Sequence, residues 1–480
     1  MKELKMLHEE YQDLTVFQML EKMVGKYREH LLFSYWQDGQ IKSVCYTVFF
    51  KDVRRLAAYF DSLSLYGQRV IIDGRNTYEQ ITALFAVMSM GAIAVPLCFD
   101  FETEDLQQLI SRLNPSLIVY DEEDEEIISG INFDAYTLAC MGENSVRSIL
   151  NEDGLLYQDN GQKKTNQPAM ILATSGSSSQ PKLVMLSHNA ILPHGYRELQ
   201  RSIFVLPMYH VALSLLINDM ASGIPNCLSN LRQAIFDIQW YHPRDLFAVP
   251  SFIDLMLKKN RMGNLNLDGF LSITSVGAPQ TPGVDEYLNS RGIFFCSLYG
   301  ATETNGTVVY STPEYYRVGS VGKIGPWNEV SISDVGEVLV RGKNVMLGYL
   351  DDVEATSEVL KDGWYHTGDI GYIDEDGFLF ITGRMKNIII LSNGENISPE
   401  AVESKLASCE EIKEVIVRGE ADRLLAYIWC GENWNRETEK RVRAFVMQYN
   451  KKVPPYQSIR NIVFQKEPFP KTSSGKIKRL

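Results

Sequence analysis

Positive charge is in short supply. The chain has 47 lysines and arginines against 60 aspartates and glutamates over 480 residues, a formal net charge of −13. Nucleic acid and anionic membranes reward a positive surface, so neither is expected as a general partner; a local basic pocket for a phosphorylated ligand remains open. Cysteine is sparse: Cys45, Cys98, Cys140, Cys227, Cys296, Cys409 and Cys430 are scattered, odd in number and form no CxxC. That pattern fits neither a zinc site nor a disulfide framework and points to a reducing, cytoplasmic setting. A membrane-length apolar run is also missing. The stretch "ITALFAVMSMGAIAVPLCF" (81–99) comes nearest, but Gly91 and Pro96 interrupt it and no positive flank marks either end. It reads as a buried helix ending near Met90–Gly91, then a core strand "AIAVPL". The first residues, "MKELKMLHEEYQDL", are too polar for a signal peptide.

What is present is ordinary for a large globular chain: 45% hydrophobic, 22% charged. Over the first 170 residues helical spacing ("FFKDVRRLAAYFDSL", "TEDLQQLISRL") alternates with strand-like runs ("QRVIID", "AIAVPL", "SLIVYD"). This predicts parallel sheet covered by helices. The acidic run 121–126, "DEEDEE", reads as a solvated turn. Alternation continues through "SIFVLPMY", "DLFAVPSFIDLML", "FLSITSVGAP" and "IFFCSLYGATE"; from Val335 hairpins take over, with Asp376–Gly377 as a turn. After Arg384 come a helix, "SPEAVESKLAS", two strand runs and a second helix. The expectation is an α/β protein with a large N-terminal domain, 1–383, of β-sheets covered by helices, and a small mobile α+β C-terminal domain, 384–480.

The stretch "TSGSSSQPK", residues Thr174, Ser175, Gly176, Ser177, Ser178, Ser179, Gln180, Pro181 and Lys182, lies between two apolar runs. It is no Walker A loop, because Pro181-Lys182-Leu183 stands where Gly-Lys-Ser/Thr is needed. Small residues nevertheless permit close backbone approach, hydroxyls donate to phosphoryl oxygens and a lysine supplies countercharge. Read alone, it is more readily a plain Ser/Gly linker than a phosphate loop.

Further along stand "LPMYHVA" (206–212), "SVGAP" (275–279), "YGATE" (299–303), "WYHTGD" (364–369), "GRMKN" (383–387) and "PKTSSGKIKR" (470–479). In this order and at these separations the segments resemble the adenylate-forming superfamily of acyl-CoA synthetases, peptide-synthetase adenylation domains and luciferases. The resemblance covers nearly the whole chain. It implies that a carboxylate attacks the α-phosphate of ATP, releases pyrophosphate, and passes as an acyl-adenylate to a thiol. It also implies roles. Thr174 to Ser178 and Lys182 would wrap the β- and γ-phosphates. Gly277, Ala278 and Pro279 would wall the adenine, with Tyr299 on its other face and Gly300 and Ala301 beside it. Thr302 would bond the α-phosphate, and Glu303 would ligate Mg²⁺ as a hard carboxylate. Asp369 would accept from the ribose hydroxyls and Arg384 would approach from the domain boundary. Lys476 would neutralise charge developing in the transition state. Lys386 takes the hinge position, and Gly394 and Glu395 the thiol tunnel.

The resemblance has two departures: Ser179 and Leu183 stand where the family loop usually carries glycine. Leu183 is expected to add bulk near the triphosphate and weaken ATP binding. At the position where amino-acid-activating members place an aspartate, the sequence reads Tyr209-His210-Val211. An unpartnered buried ammonium is costly, so an α-amino acid is disfavoured and a fatty, aryl or similar acid is expected, with His210, Val211 and Gly277 at its pocket. His210 is read as a catalytic-side residue near the carboxylate, or else a satisfied core histidine. The thiol is coenzyme A, or alternatively the phosphopantetheine of an acyl or peptidyl carrier protein served by a stand-alone adenylating enzyme. A nucleotide-binding protein that has lost catalysis is the remaining reading.

Overall fold

In the computed structural model, the described residues are 8–99, 103–174, 181–195, 201–209, 212–277, 280, 283–392, 395–420, 423–432, 434–471, 477 and 479. Two mixed sheets build the large part. In the first, strands run in the order Phe294–Ser297, Ser272–Ser275, Asp245–Ala248, Ser202–Phe204, Asn226–Leu228, Leu31–Gln37 and Gln40–Cys45. They are parallel except for the closing hairpin of Leu31–Gln37 with Gln40–Cys45. In the second the order is Gly348–Tyr349, Leu183–Ser187, Pro168–Ala173, Ile93–Leu97, Arg69–Asp73, Leu117–Tyr120 and Tyr136–Ala139. Here the expected parallel set stops at Pro168–Ala173, and Leu183–Ser187 turns back antiparallel beside it.

Two helices, Tyr78–Met90 and Ala212–Ala221, are buried at every position, their polar residues Glu79, Gln80, Asn218 and Asp219 included. The first begins at Thr77, whose side chain accepts from the Gln80 N–H in a capping box, and stops at Gly91, which takes the left-handed φ of +93° that ends helices. This is the membrane-length candidate resolved into a core helix and the strand Ile93–Leu97. Among the described residues no helix is long and apolar enough to cross a membrane.

The acidic run is solvated only in part, at Glu123, Glu125 and Glu126. Asp121 and Asp124 are 7% and 3% exposed, and both turn onto Arg75. Arg75 also meets Asp73 at 3.0 Å and Glu123 at 2.6 Å, so four carboxylates share one guanidinium at the C-terminal ends of their strands. The sequence pattern hid this because the countercharge lies 48 residues upstream of Glu123. Asp73, Arg75, Asp121 and Glu123 border a cavity of about 600 Å³ that Arg147, Tyr209 and Ser229 also line.

A third sheet is antiparallel and carries the hairpin Trp364–Ile373 with Phe378–Arg384, beside Glu337–Gly342. Gly377 makes the turn with a φ of +81°. Beyond it, Glu414–Glu420, Arg423–Trp429 and Ile459–Phe464 form a small sheet under helices Pro399–Leu406 and Arg436–Lys452. Leu406, Leu424, Ala426, Ile428 and Val442 centre a hydrophobic cluster of their own there. This is the expected α/β architecture: a large sheet-and-helix part followed by a small α+β part.

Candidate active site

The Ser/Gly stretch is flanked by two strands that pair with each other. Strands Pro168–Ala173 and Leu183–Ser187 pair antiparallel with Ala173 opposite Leu183. The neck closes on itself: Thr174 N–H donates to the Lys182 carbonyl at 2.9 Å, and Lys182 N–H to Thr174 Oγ1 at 3.2 Å. Ser175, Gly176, Ser177, Ser178 and Ser179 lie outside the described residues. Leu183 corrects an expectation. It is 1% exposed and packs with Ile71, Val95, Leu97 and Ile171, so its bulk fills the core beneath the loop rather than the space above it.

Lys182 Nζ sits 4.5 Å from the ring centroid of Tyr349, within cation–π range. The Tyr349 hydroxyl donates to Glu303 Oε1 at 2.8 Å. Burial and the adjoining carboxylate push this phenol far above its usual range, so it stays a neutral donor. Glu303 stands in the tight turn Thr302–Thr304, which ends at Asn305 in the left-handed region. Asn344 Nδ2 donates to the Thr304 carbonyl at 2.9 Å, and Met346 N–H to that of Glu303 at 2.8 Å. Gly300 pairs so closely with the Gly306 strand that a Cβ would fall 1.8 Å from the Gly306 oxygen; no side chain fits there. Ala301 pairs with Gly306 in the same hairpin.

A second group forms around Asp369, which is 8% exposed. Tyr299 Oη donates to Asp369 Oδ2 at 2.6 Å, and Arg384 Nε lies 2.8 Å from Oδ1. Burial first, and the carboxylate next, hold the Tyr299 phenol neutral. The turn before Asp369 is fixed from below. Glu337 accepts the Gly368 N–H at 2.9 Å and meets His366 Nδ1 at 2.9 Å, while Thr367 Oγ1 donates to the Val338 carbonyl at 2.7 Å. Tyr299 lies four residues before Glu303 on the same segment and packs, with Ala301, against the cluster that holds buried Tyr365, which brings the two groups into one region.

Gly277 follows strand Ser272–Ser275 with a φ of +87° and open space where a Cβ would stand, so backbone conformation selects glycine there. Ala278, Pro279, His210 and Val211 lie outside the described residues; Tyr209, just before them, packs so close to Gly74 that a Cβ there would sit 2.7 Å from its ring. Lys386 occupies the single turn Met385–Asn387 where the chain leaves the hairpin strand Phe378–Arg384. Glu395 closes the short hairpin of Ile389–Ile390 with Asn396–Ile397, its carbonyl accepting from Leu391 N–H at 3.0 Å. Gly394 and Lys476 lie outside the described residues, but the flanks of Lys476 are anchored: Lys471 pairs with Glu414 at 2.6 Å and bridges to Ile477, and Arg479 pairs with Glu403. Sequence reasoning missed Tyr349 and Glu337. The signal for Tyr349 was the preceding Gly348, whose φ of +142° and tight approach to Thr356 mark a constrained backbone.

Comparison with known proteins agrees with this geometry. The model for AMP-binding enzymes matches residues 20–350, and that for the AMP-binding enzyme C-terminal domain matches 401–476. Indoleacetate–CoA ligase of Aromatoleum aromaticum is 27% identical over 439 residues, covering 85% of this chain and 86% of that enzyme. The crystal structure of the anthranilate CoA ligase AuaEII with anthranoyl-AMP superposes with a TM-score of 0.84 at 18% identity, over 97% of this chain and 96% of that one. O-succinylbenzoate coenzyme A synthetase from Bacillus subtilis, in complex with ATP and magnesium ion, gives 0.77 at 23% identity, over 96% and 98%. These likenesses are of fold; the first family model spans more than half of the sequence, and the second begins inside helix Pro399–Leu406. The chain belongs to the AMP-binding, adenylate-forming enzyme family.

Proposed function

We propose that this enzyme is an AMP-forming acid–thiol ligase that joins a carboxylic acid to coenzyme A through an acyl-adenylate. A carboxylate oxygen attacks the α-phosphorus of ATP, the bond to the β-phosphate breaks, and pyrophosphate leaves. The thiolate then attacks the acyl carbon and AMP departs. The observation that carries this reading is the convergence of Lys182 and Glu303, joined through Tyr349, with Tyr299, Asp369 and Arg384. It offers a cation and a carboxylate on the triphosphate side and a hydrogen-bonding carboxylate on the ribose side.

Magnesium fits this donor set. Among the described residues only Tyr349 donates to the Glu303 carboxylate, through Oε1, which leaves Oε2 able to ligate. One carboxylate together with substrate phosphates can complete the shell of such an ion. Bound there, the ion would neutralise phosphate charge. Thr302 bonds the α-phosphate, Gly277, Ala278 and Pro279 wall the base, and Lys476 enters from the small domain, 384–480, which turns about Lys386 relative to 1–383. Gly394 and Glu395 then line the thiol path.

The acid is aryl, fatty or similar. Tyr209-His210-Val211 supplies no aspartate for an α-ammonium, and the aryl-CoA ligases among its relatives support both this class and coenzyme A as acceptor. None of the seven cysteines is in a disulfide, which supports a cytoplasmic setting. The test supplies ATP, Mg²⁺ and candidate aryl and fatty acids with either free coenzyme A or phosphopantetheinylated carrier proteins. Thioester on coenzyme A is expected; thioester on a carrier alone would replace this acceptor, and neither product with any acid would overturn the reading.

A further inference from the structure

Tyr349 touches both halves of the triphosphate side. Its ring lies under the Lys182 ammonium at 4.5 Å and its hydroxyl donates to Glu303 at 2.8 Å. Lys182 forms no ion pair among the described residues, although a carboxylate stands at the far end of the same ring. We propose that Tyr349 is a positioning residue: an aromatic spacer that holds Lys182 and Glu303 close but unpaired, keeping the one free for the triphosphate and the other for its metal. This rests on the nucleotide-binding reading of the site.

The fold holds the spacer rigidly. Tyr349 is 5% exposed. Its short strand pairs with Leu183–Ser187, Tyr349 opposite Val184, and flanking bonds run from Leu347 N–H to Met185 and from Leu350 N–H to Leu183, both 2.8 Å. Met346, on the same segment, donates to the Glu303 carbonyl. Thr356 Oγ1 accepts the Tyr349 N–H at 2.9 Å. One segment thus fixes the hairpin arm carrying Lys182 and the turn carrying Glu303 in a single register. Without an aromatic between them, a flexible lysine and a partly buried carboxylate would pair directly, and each would then have to be released before ATP and metal could bind.

The two substitutions Tyr349→Phe and Tyr349→Leu separate ring from hydroxyl. Calorimetric titration with ATP in EDTA and with ATP plus Mg²⁺ reads the two sides apart, and circular dichroism melting reports folding. Tyr349→Phe keeps the ring, so metal-free ATP affinity should stay within about twofold, while the Mg²⁺-dependent gain in affinity falls about three- to tenfold. Tyr349→Leu should lose that gain and also weaken metal-free ATP binding about fivefold or more. A doubly altered Tyr349→Leu/Glu303→Gln protein should recover the metal-free affinity, because the competing carboxylate charge is gone. Equal Mg²⁺ dependence in wild type and Tyr349→Phe, or no recovery in the double variant, overturns the spacer. Failure of wild-type protein to bind ATP overturns the nucleotide reading itself.

Discussion

Asp369 and Arg384 face each other across an antiparallel hairpin, with Arg384 Nε 2.8 Å from Asp369 Oδ1. Fifteen positions apart in sequence, they meet because the register of Trp364–Ile373 against Phe378–Arg384 makes them a cross-strand pair. The register is set at the far end, where Asp374 Oδ1 accepts the N–H groups of Asp376 and Phe378, and Arg317 clamps Asp374 and Asp376. A surface turn therefore places a candidate ribose ligand.

Tyr299 and Arg384 orient the Asp369 carboxylate, so the carboxylate should matter more than either donor. Asp369→Asn is expected to raise the KM for ATP about tenfold or more, and Tyr299→Phe about three- to tenfold, since the second removes one hydrogen bond and the first replaces an acceptor with a partial donor. Steady-state kinetics at varied ATP checks the ranking. Tyr299→Phe harming ATP more than Asp369→Asn would contradict it.

Leu183 makes a contrary case to its place in the sequence. Because the side chain is 1% exposed among Ile71, Val95 and Ile171, Leu183→Ala should cost about 2–5 kcal/mol of stability. Chemical denaturation measures that, and the KM for ATP should stay unchanged. Tighter ATP binding without loss of stability would mean that the side chain does crowd the loop.

Asp73 is 3% exposed, and burial, together with Asp124 and Asp121 and against the pull of Arg75, pushes its carboxyl up to about 8. Unfolded, it titrates near about 4. The folded state thus holds a proton that the unfolded chain has released, and this group's contribution to stability falls as pH rises from about 4 to about 8. Asp73→Asn keeps an oxygen for Arg75 and Gln80 and cannot ionise. Its melting temperature should decline less than that of the wild type between pH 5 and pH 8; parallel declines would contradict this origin.

Lys476 should serve one half-reaction only. Lys476→Ala is expected to slow adenylate formation about a hundredfold or more, while thioester formation from supplied acyl-adenylate is spared. Equal loss in both steps would refute the turning of the small domain about Lys386.

Much of the fold was legible because periodicity and end signals agree: Thr77 and Gly91 bracket a helix that the apolar run alone would have left ambiguous. The candidate site was legible through short segments whose order resembles a family, and Tyr299, Asp369 and Arg384 do meet. Relations across strands were not legible. Nothing near Arg75 announces Asp121, Glu123 and Asp124, nothing near Lys182 announces Tyr349, and the inward face of Leu183 depends on a strand direction that loop residues do not encode.

The central claim is acid-dependent adenylation, and isotope exchange between pyrophosphate and ATP tests it most directly. Wild-type protein with Mg²⁺ should exchange label when an aryl or fatty acid is present and should not respond to α-amino acids, and Lys476→Ala should abolish the signal. A folded sample that binds ATP yet exchanges no label with any acid, or exchanges it only with an α-amino acid, would contradict the account.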